Sequence, residues 1–148
     1  MTCVVGRPGV LCTDSRETGA TKRDAPKHFR VHNYLVGTAG DCAALTVTEH
    51  VMQWPKNPTV KTVARLLHKH HDKSNCDFNE TSLLVVTRDK VLVCDGLYVF
   101  ETHTGAIGCG APYALGHLRA APDDLEGAVA AACFYDPYCA GPVRKIEL

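Results

Sequence analysis

The stretch MTCVVGRPGVLCTDSRETG, residues 1–19, decides the fold. Two apolar runs, at 2–6 and 10–13, flank RPG at 7–9. Proline presets one turn dihedral and glycine supplies a positive φ, so the segment predicts a β-hairpin opening the chain. A core strand beginning at residue 2 locks a terminus that most domains leave loose. Thr2 is therefore either the first residue of an ordinary strand or a residue whose position matters.

Outward from this hairpin the chain reads in blocks. Residues 15–27 are polar and charged, an expected irregular connection. Residues 29–34 alternate apolar and polar, and YLVGTAG at 34–40 ends in small residues, so a second pair of strands is expected. Asp41 stands where a helix N-cap belongs, with Ala44, Leu45, Val47, Val51 and Trp54 near helical spacing and Pro55 ending the run. NPT at 57–59 opens a second helix whose apolar stripe is Val60, Val63, Ala64, Leu66 and Leu67. KSNCDFNE at 73–80 reads as a loop. Three strands follow at 82–87, 91–94 and 97–101, then a short strand inside GAIGCG at 105–110. Helices are expected at 112–120 and across PDDLEGAVAAACFYD at 122–136, and a last strand in VRKIEL at 143–148. The order of strands, two helices, strands, two helices and a strand predicts an α+β architecture. Its form is a four-layer αββα sandwich of two antiparallel sheets between helix layers.

A chain of 148 residues is the length of one domain, able to bury about 70% of its unfolded surface, and a single domain over 1–148 is expected. Hydrophobic residues make up 45% and charged residues 22%, which excludes a disordered composition. Sixteen basic residues balance sixteen acidic ones, so nothing in the charge points to nucleic acid or an anionic membrane. No apolar run approaches the roughly 20 residues that span a bilayer, and no signal-peptide pattern opens the chain, so a cytoplasmic location is expected.

Eight cysteines are present, but no CxxC, which argues against a zinc ribbon. Five sit in apolar runs, where a free cysteine behaves as a small buried hydrophobe. His68, His70 and His71 cluster in HKHH, and His68 and His71 stand at i and i+3, yet a third ligand is not evident. Neither a metal nor a cofactor is expected.

The residue after Met1 is small, so removal of Met1 is expected, and it makes Thr2 the N-terminus. An N-terminal threonine combines a hydroxyl nucleophile with an α-amine of pKa about 7.7–8.0, suited to act as general base. On their own, Asp14 also reads as a turn residue, Lys27 as a solvated lysine and Gly40 as a helix-entry glycine.

The motifs taken together resemble one family. GVLCTDSRET at 9–18 resembles the second strand and turn of proteasome β-subunits and HslV-type peptidases. KHFRV at 27–31 is similar to their catalytic-lysine segment, and GTAGDCAAL at 37–45 to the glycine turn opening their first helix. AIGCGAPYAL at 106–115 resembles the HslV glycine-rich turn, and YDPYCAGPVRKIEL at 135–148 the proteasomal D-x-x-S-G-G-x-V pattern with its closing strand. The matches run in family order along the whole chain, which looks like a compact variant.

The resemblance implies an N-terminal nucleophile hydrolase that cuts peptide bonds with Thr2. It implies Asp14 and Lys27 as a charge pair beside the hydroxyl, Gly40 as the oxyanion donor, Asp136 as a late aspartate holding the terminus, and Thr38 as a residue lining the substrate pocket. Cys109 and Cys139 occupy positions where the family usually has serine; a thiol is the weaker donor, and Cys109 itself is a rival nucleophile. The resemblance further implies a homo-oligomeric ring, a peptide or unfolded-protein substrate and an ATPase unfoldase partner. A small-amide amidase on the same fold and an inactive ring subunit are the rival readings.

Overall fold

Val4 and Val5, both fully buried, set the layering. In the computed structural model of the chain, which describes residues 2–18, 22–24, 26–73 and 78–148, they belong to strand β1 (Val4–Arg7) and face opposite sides of one sheet. Strand β1 turns through Pro8 and Gly9 (φ 78°) into β2 (Val10–Thr13), with Val4 opposite Thr13, so the opening hairpin forms as expected. β1 also pairs antiparallel with β10 (Gly105–Ile107), and β2 with β11 (Arg144–Glu147), giving the order β10-β1-β2-β11.

The second sheet runs in chain order: β5 (His28–Val31), β6 (Tyr34–Gly40), β7 (Thr81–Val86), β8 (Val91–Asp95) and β9 (Tyr98–Thr102), all antiparallel. Val4, Leu11, Leu35, Leu84, Val86 and Ile107 fill the space between the two sheets. Helices α1 (Cys42–His50) and α2 (Val60–Lys73) cover the far face of the five-stranded sheet, where Ala44, Val63 and Leu67 meet Val36, Leu83, Val85 and Leu92. Helices α3 (Ala111–Ala120) and α4 (Leu125–Tyr135) cover the other sheet, with Ala114, Leu118, Ala128 and Ala132 against Val5 and Cys12. Each aliphatic side chain so buried contributes about 1.5–3 kcal/mol, and with all four sheet faces covered the result is the αββα sandwich.

Local chemistry explains where the helices begin. Asp41 Oδ2 accepts the Ala44 N–H at 3.0 Å, capping α1. Thr59 and Thr62 cap α2 reciprocally: the Thr59 hydroxyl accepts the Thr62 N–H at 3.2 Å, and the Thr59 N–H donates to Thr62 Oγ1 at 2.9 Å. Asp124 Oδ1 accepts the Gly127 N–H at 2.9 Å at the start of α4.

Three expectations change. Helix α1 ends at His50, so Val51 is its C-cap and Trp54 lies beyond it. The indole folds back instead, its N–H donating to the Thr48 carbonyl at 2.9 Å, which buries Trp54 without a further helical turn. Residues 15–27 are not wholly irregular: β3 (Arg16–Thr18) and β4 (Lys22–Asp24) form an antiparallel pair. Polar strands held by backbone pairing carry no hydrophobic alternation to signal them; residues 19–21 and 25 lie outside the described ones. In the expected loop at 73–80, Phe78–Glu80 form a 3-10 turn with Phe78 buried, while 74–77 lie outside the described residues. Among the described residues no helix is long and apolar enough to cross a membrane.

Candidate active site

Asp14 directly follows β2 and is fully buried. Its Oδ1 accepts the Cys3 N–H at 2.8 Å, its Oδ2 accepts the Ala140 N–H at 3.3 Å, and Lys27 Nζ donates to both oxygens at 3.0 Å. The Asp14 N–H returns a bond to the Cys3 carbonyl at 3.0 Å. A buried ion pair survives desolvation when its remaining hydrogen-bonding capacity is met, as the two backbone donors do here. Lys27 is held at both ends: its carbonyl accepts the Thr38 N–H at 2.8 Å and the Thr38 hydroxyl at 3.2 Å. Sheet pairing with β6 thus fixes the lysine backbone while Asp14 fixes its ammonium.

Thr2 precedes β1 and is 7% exposed. Its N–H donates to Cys109 Sγ at 3.3 Å, and its carbonyl accepts the Gly110 N–H at 3.3 Å and the Cys109 thiol at 3.5 Å. The turn 108–110 therefore grips residue 2 at both backbone polar groups. Gly108 makes this possible: its φ is +88°, and a Cβ there would lie 2.1 Å from the Thr2 carbonyl oxygen. The glycine-rich run at 105–110 was the signal for a turn, but this contact was not legible in it. Gly108→Ala is expected to push residue 2 off the turn and cost about 1–3 kcal/mol, read as a lowered melting temperature together with lost reactivity at Thr2.

Behind that turn stand Cys109, Asp136 and Cys139. The two Sγ atoms are 3.7 Å apart. Burial raises the Cys109 thiol pKa, and its hydrogen bond to Asp136 raises it further; burial and the neighbouring Cys109 raise Cys139 as well. Both stay protonated near neutral pH, which counts against Cys109 as a nucleophile. For Asp136, burial pushes the carboxyl up, but the Tyr138 N–H at 2.9 Å and the two thiols outweigh it, and its pKa is held below the ordinary value. Asp136 is the C-cap of α4, so the end of that helix sets where its carboxylate stands.

Thr2, Cys109 and Asp136 thus form one cluster, and Asp14, Lys27 and Thr38 a second, joined through Cys3. Gly40 stands two residues beyond Thr38, exposed, at the end of β6. Its glycine has a steric reason of its own: φ is +123°, and a Cβ would lie 2.2 Å from the Glu80 carbonyl oxygen. Ser15 was not singled out in the sequence. It is fully buried, its hydroxyl donating to the Pro142 carbonyl at 2.9 Å and its N–H to the Ala140 carbonyl at 3.2 Å, which ties the segment after α4 to Asp14. His68 and His71 join no group of three converging ligands among the described residues.

No protein-family model matches the chain, and no curated protein matches its sequence. Solved structures do. Thiobacillus denitrificans BPH superposes with a TM-score of 0.77 at 18% identity, covering 99% of this chain and 96% of that one. The same protein in complex with epoxomicin gives 0.74 at 19% identity, covering 99% and 97%. The eukaryotic HslV of Trypanosoma brucei gives 0.72 at 20% identity, covering 99% of each chain. Coverage is near complete in both directions, so the expected compactness does not appear relative to these proteins. The chain therefore shares the fold of these proteins, an αββα sandwich of the N-terminal nucleophile hydrolase type.

Proposed function

We propose that the chain is a threonine-type peptidase acting as one domain, with Thr2 as nucleophile once Met1 is removed. One observation carries this reading. Asp14 Oδ1 accepts from both Lys27 Nζ and the N–H of Cys3, the residue directly after Thr2, so a buried ammonium is anchored to the backbone that holds the threonine.

Removal of Met1 turns the Thr2 nitrogen into an α-amine. That amine, directly or through a water, takes the hydroxyl proton, and Oγ attacks the scissile carbonyl carbon. The Lys27 charge lowers the cost of the developing alkoxide. The Gly40 N–H is assigned to the tetrahedral oxyanion, and Thr38 to the pocket for the side chain before the cut. Collapse expels the amine half of the peptide with the proton held by the α-amine; water then hydrolyses the ester and restores the hydroxyl. Cys109 and Asp136 position the α-amine. The fold's kinship to HslV supports a homo-oligomeric cytoplasmic ring fed with unfolded protein by an ATPase unfoldase.

Intact mass before and after treatment with epoxomicin, the ligand named for the Thiobacillus protein, tests the reading. Loss of one methionine and addition of one inhibitor at residue 2 are expected. A retained Met1, or a processed chain that takes no label, would sink the peptidase and leave an inactive ring subunit. Turnover of small amides without turnover of peptides would point to an amidase.

A further inference from the structure

We propose that Cys109, Asp136 and Cys139 form a site for one Zn²⁺ ion beside Thr2. Their ligand atoms all lie within 4.8 Å of one another, and among the described residues no other group of three converges so tightly. The three come from two segments. Cys109 sits in the turn before α3, while Asp136 and Cys139 stand three apart where α4 ends.

The spacing of the sulfurs decides what they are suited to share. Two thiolates on a tetrahedral zinc, each at about 2.3 Å, sit about 3.8 Å apart. The observed separation is 3.7 Å, so the pair needs almost no movement to take an ion between them. A disulfide would require the sulfurs to close to about 2.05 Å. Two thiols and a carboxylate also select a soft d¹⁰ cation over magnesium or calcium, which take oxygen ligands. Binding releases the two thiol protons to solvent, leaving thiolates and carboxylate to more than balance the dication.

The surroundings suit the role. The Tyr138 N–H, at 2.9 Å from Asp136 Oδ1, orients the carboxylate from behind. Asp136 and Cys139 are 5% and 1% exposed while Cys109 is half-buried, so the site is walled on one side and open on the other. The fourth position falls to the Thr2 nitrogen, and this part rests on the proposed function. The nitrogen lies 3.3 Å from Cys109 Sγ, close to the sulfur–nitrogen edge of about 3.5 Å in a tetrahedral zinc site. Once Met1 is gone it is an amine able to ligate. Zinc bound there occupies the general base and silences the nucleophile; a chelator releases it.

The test is titration of the reduced full chain with Zn²⁺ against a chromophoric chelator, and with Co²⁺ followed by its absorption. One Zn²⁺ per chain and a thiolate-to-cobalt charge-transfer band are expected. Both should vanish in Cys109→Ser/Cys139→Ser, and Asp136→Asn should weaken binding at least about 10-fold. Cys109→Ala, at a half-buried turn, serves the same purpose where the double variant does not fold. Absence of the cobalt band, or zinc held equally by the double variant (which would place the ion on other thiols or on the histidines at 68–71), overturns the site. Zn²⁺ should also slow epoxomicin labelling at Thr2, with chelator restoring it. An unchanged labelling rate on zinc-loaded protein removes Thr2 from the coordination shell. If Thr2 never labels, the peptidase reading fails, while stoichiometry and the cobalt band still decide the site.

Discussion

Thr2→Ala is expected to abolish labelling by epoxomicin and to lower peptide hydrolysis by more than about 10³-fold, since no other group can take the place of an attacking oxygen. The fold should survive. The turn at 108–110 holds residue 2 by its N–H and carbonyl, which alanine keeps, so the melting temperature should move by no more than a few degrees, roughly the effect of 1 kcal/mol. In the unsubstituted protein the general base works only when unprotonated. The rate constant kcat/KM should therefore fall as pH drops below about 7.7–8.0, the ordinary α-amine range. A variant that keeps turnover would transfer the nucleophile elsewhere; a flat profile across that range would remove the amine from its role.

Lys27→Met is expected to have the largest effect on stability. It leaves the fully buried Asp14 carboxylate with two backbone N–H partners but, among the described residues, no paired cation. Removing one partner of a buried pair costs about 3–5 kcal/mol, because the other charge stays desolvated. For a chain of this size that is a fall on the order of 6–20 °C in melting temperature. Asp14→Leu in the same chain should recover part of the loss, since the unpaired charge goes with it. A double-mutant cycle on melting temperature measures the coupling, and additive single effects would show that the pair stabilises nothing. Activity should fall in both single variants and not return in the double one, where no ammonium remains. Return of activity in the double variant would reduce Lys27 to a structural role.

Much of the architecture was legible because it rests on short-range chemistry. The RPG turn between two apolar runs, Asp41 before a helical stripe, and the acidic first turn of α4 each report a local constraint, and each element formed within a few residues of its expected place. What escaped was decided by contacts that apolar periodicity does not encode. Trp54 reads as a helical position until its indole finds the Thr48 carbonyl, and β3 with β4 is written in polar residues whose sequence carries no apolar period. The candidate site divides in the same way. Thr2, Asp14, Lys27, Thr38, Gly40, Cys109 and Asp136 were all selected from the sequence, and the resemblance implied the Asp14–Lys27 pair, yet the other contacts among them were not legible.

Residue types and turn chemistry determine the strands, the helices and the layered sandwich, because backbone hydrogen bonding and apolar periodicity act over a few residues. Tertiary structure alone decided that Cys109 reaches the Thr2 nitrogen across 107 positions, that the Cys3 and Ala140 N–H groups join the expected Asp14–Lys27 pair at one buried carboxylate, and that Cys109 and Cys139 stand 3.7 Å apart. Those contacts depend on how the sheets and the ends of α3 and α4 stack. That stacking is set by summed burial over three apolar layers, to which no local stretch of the chain holds the key.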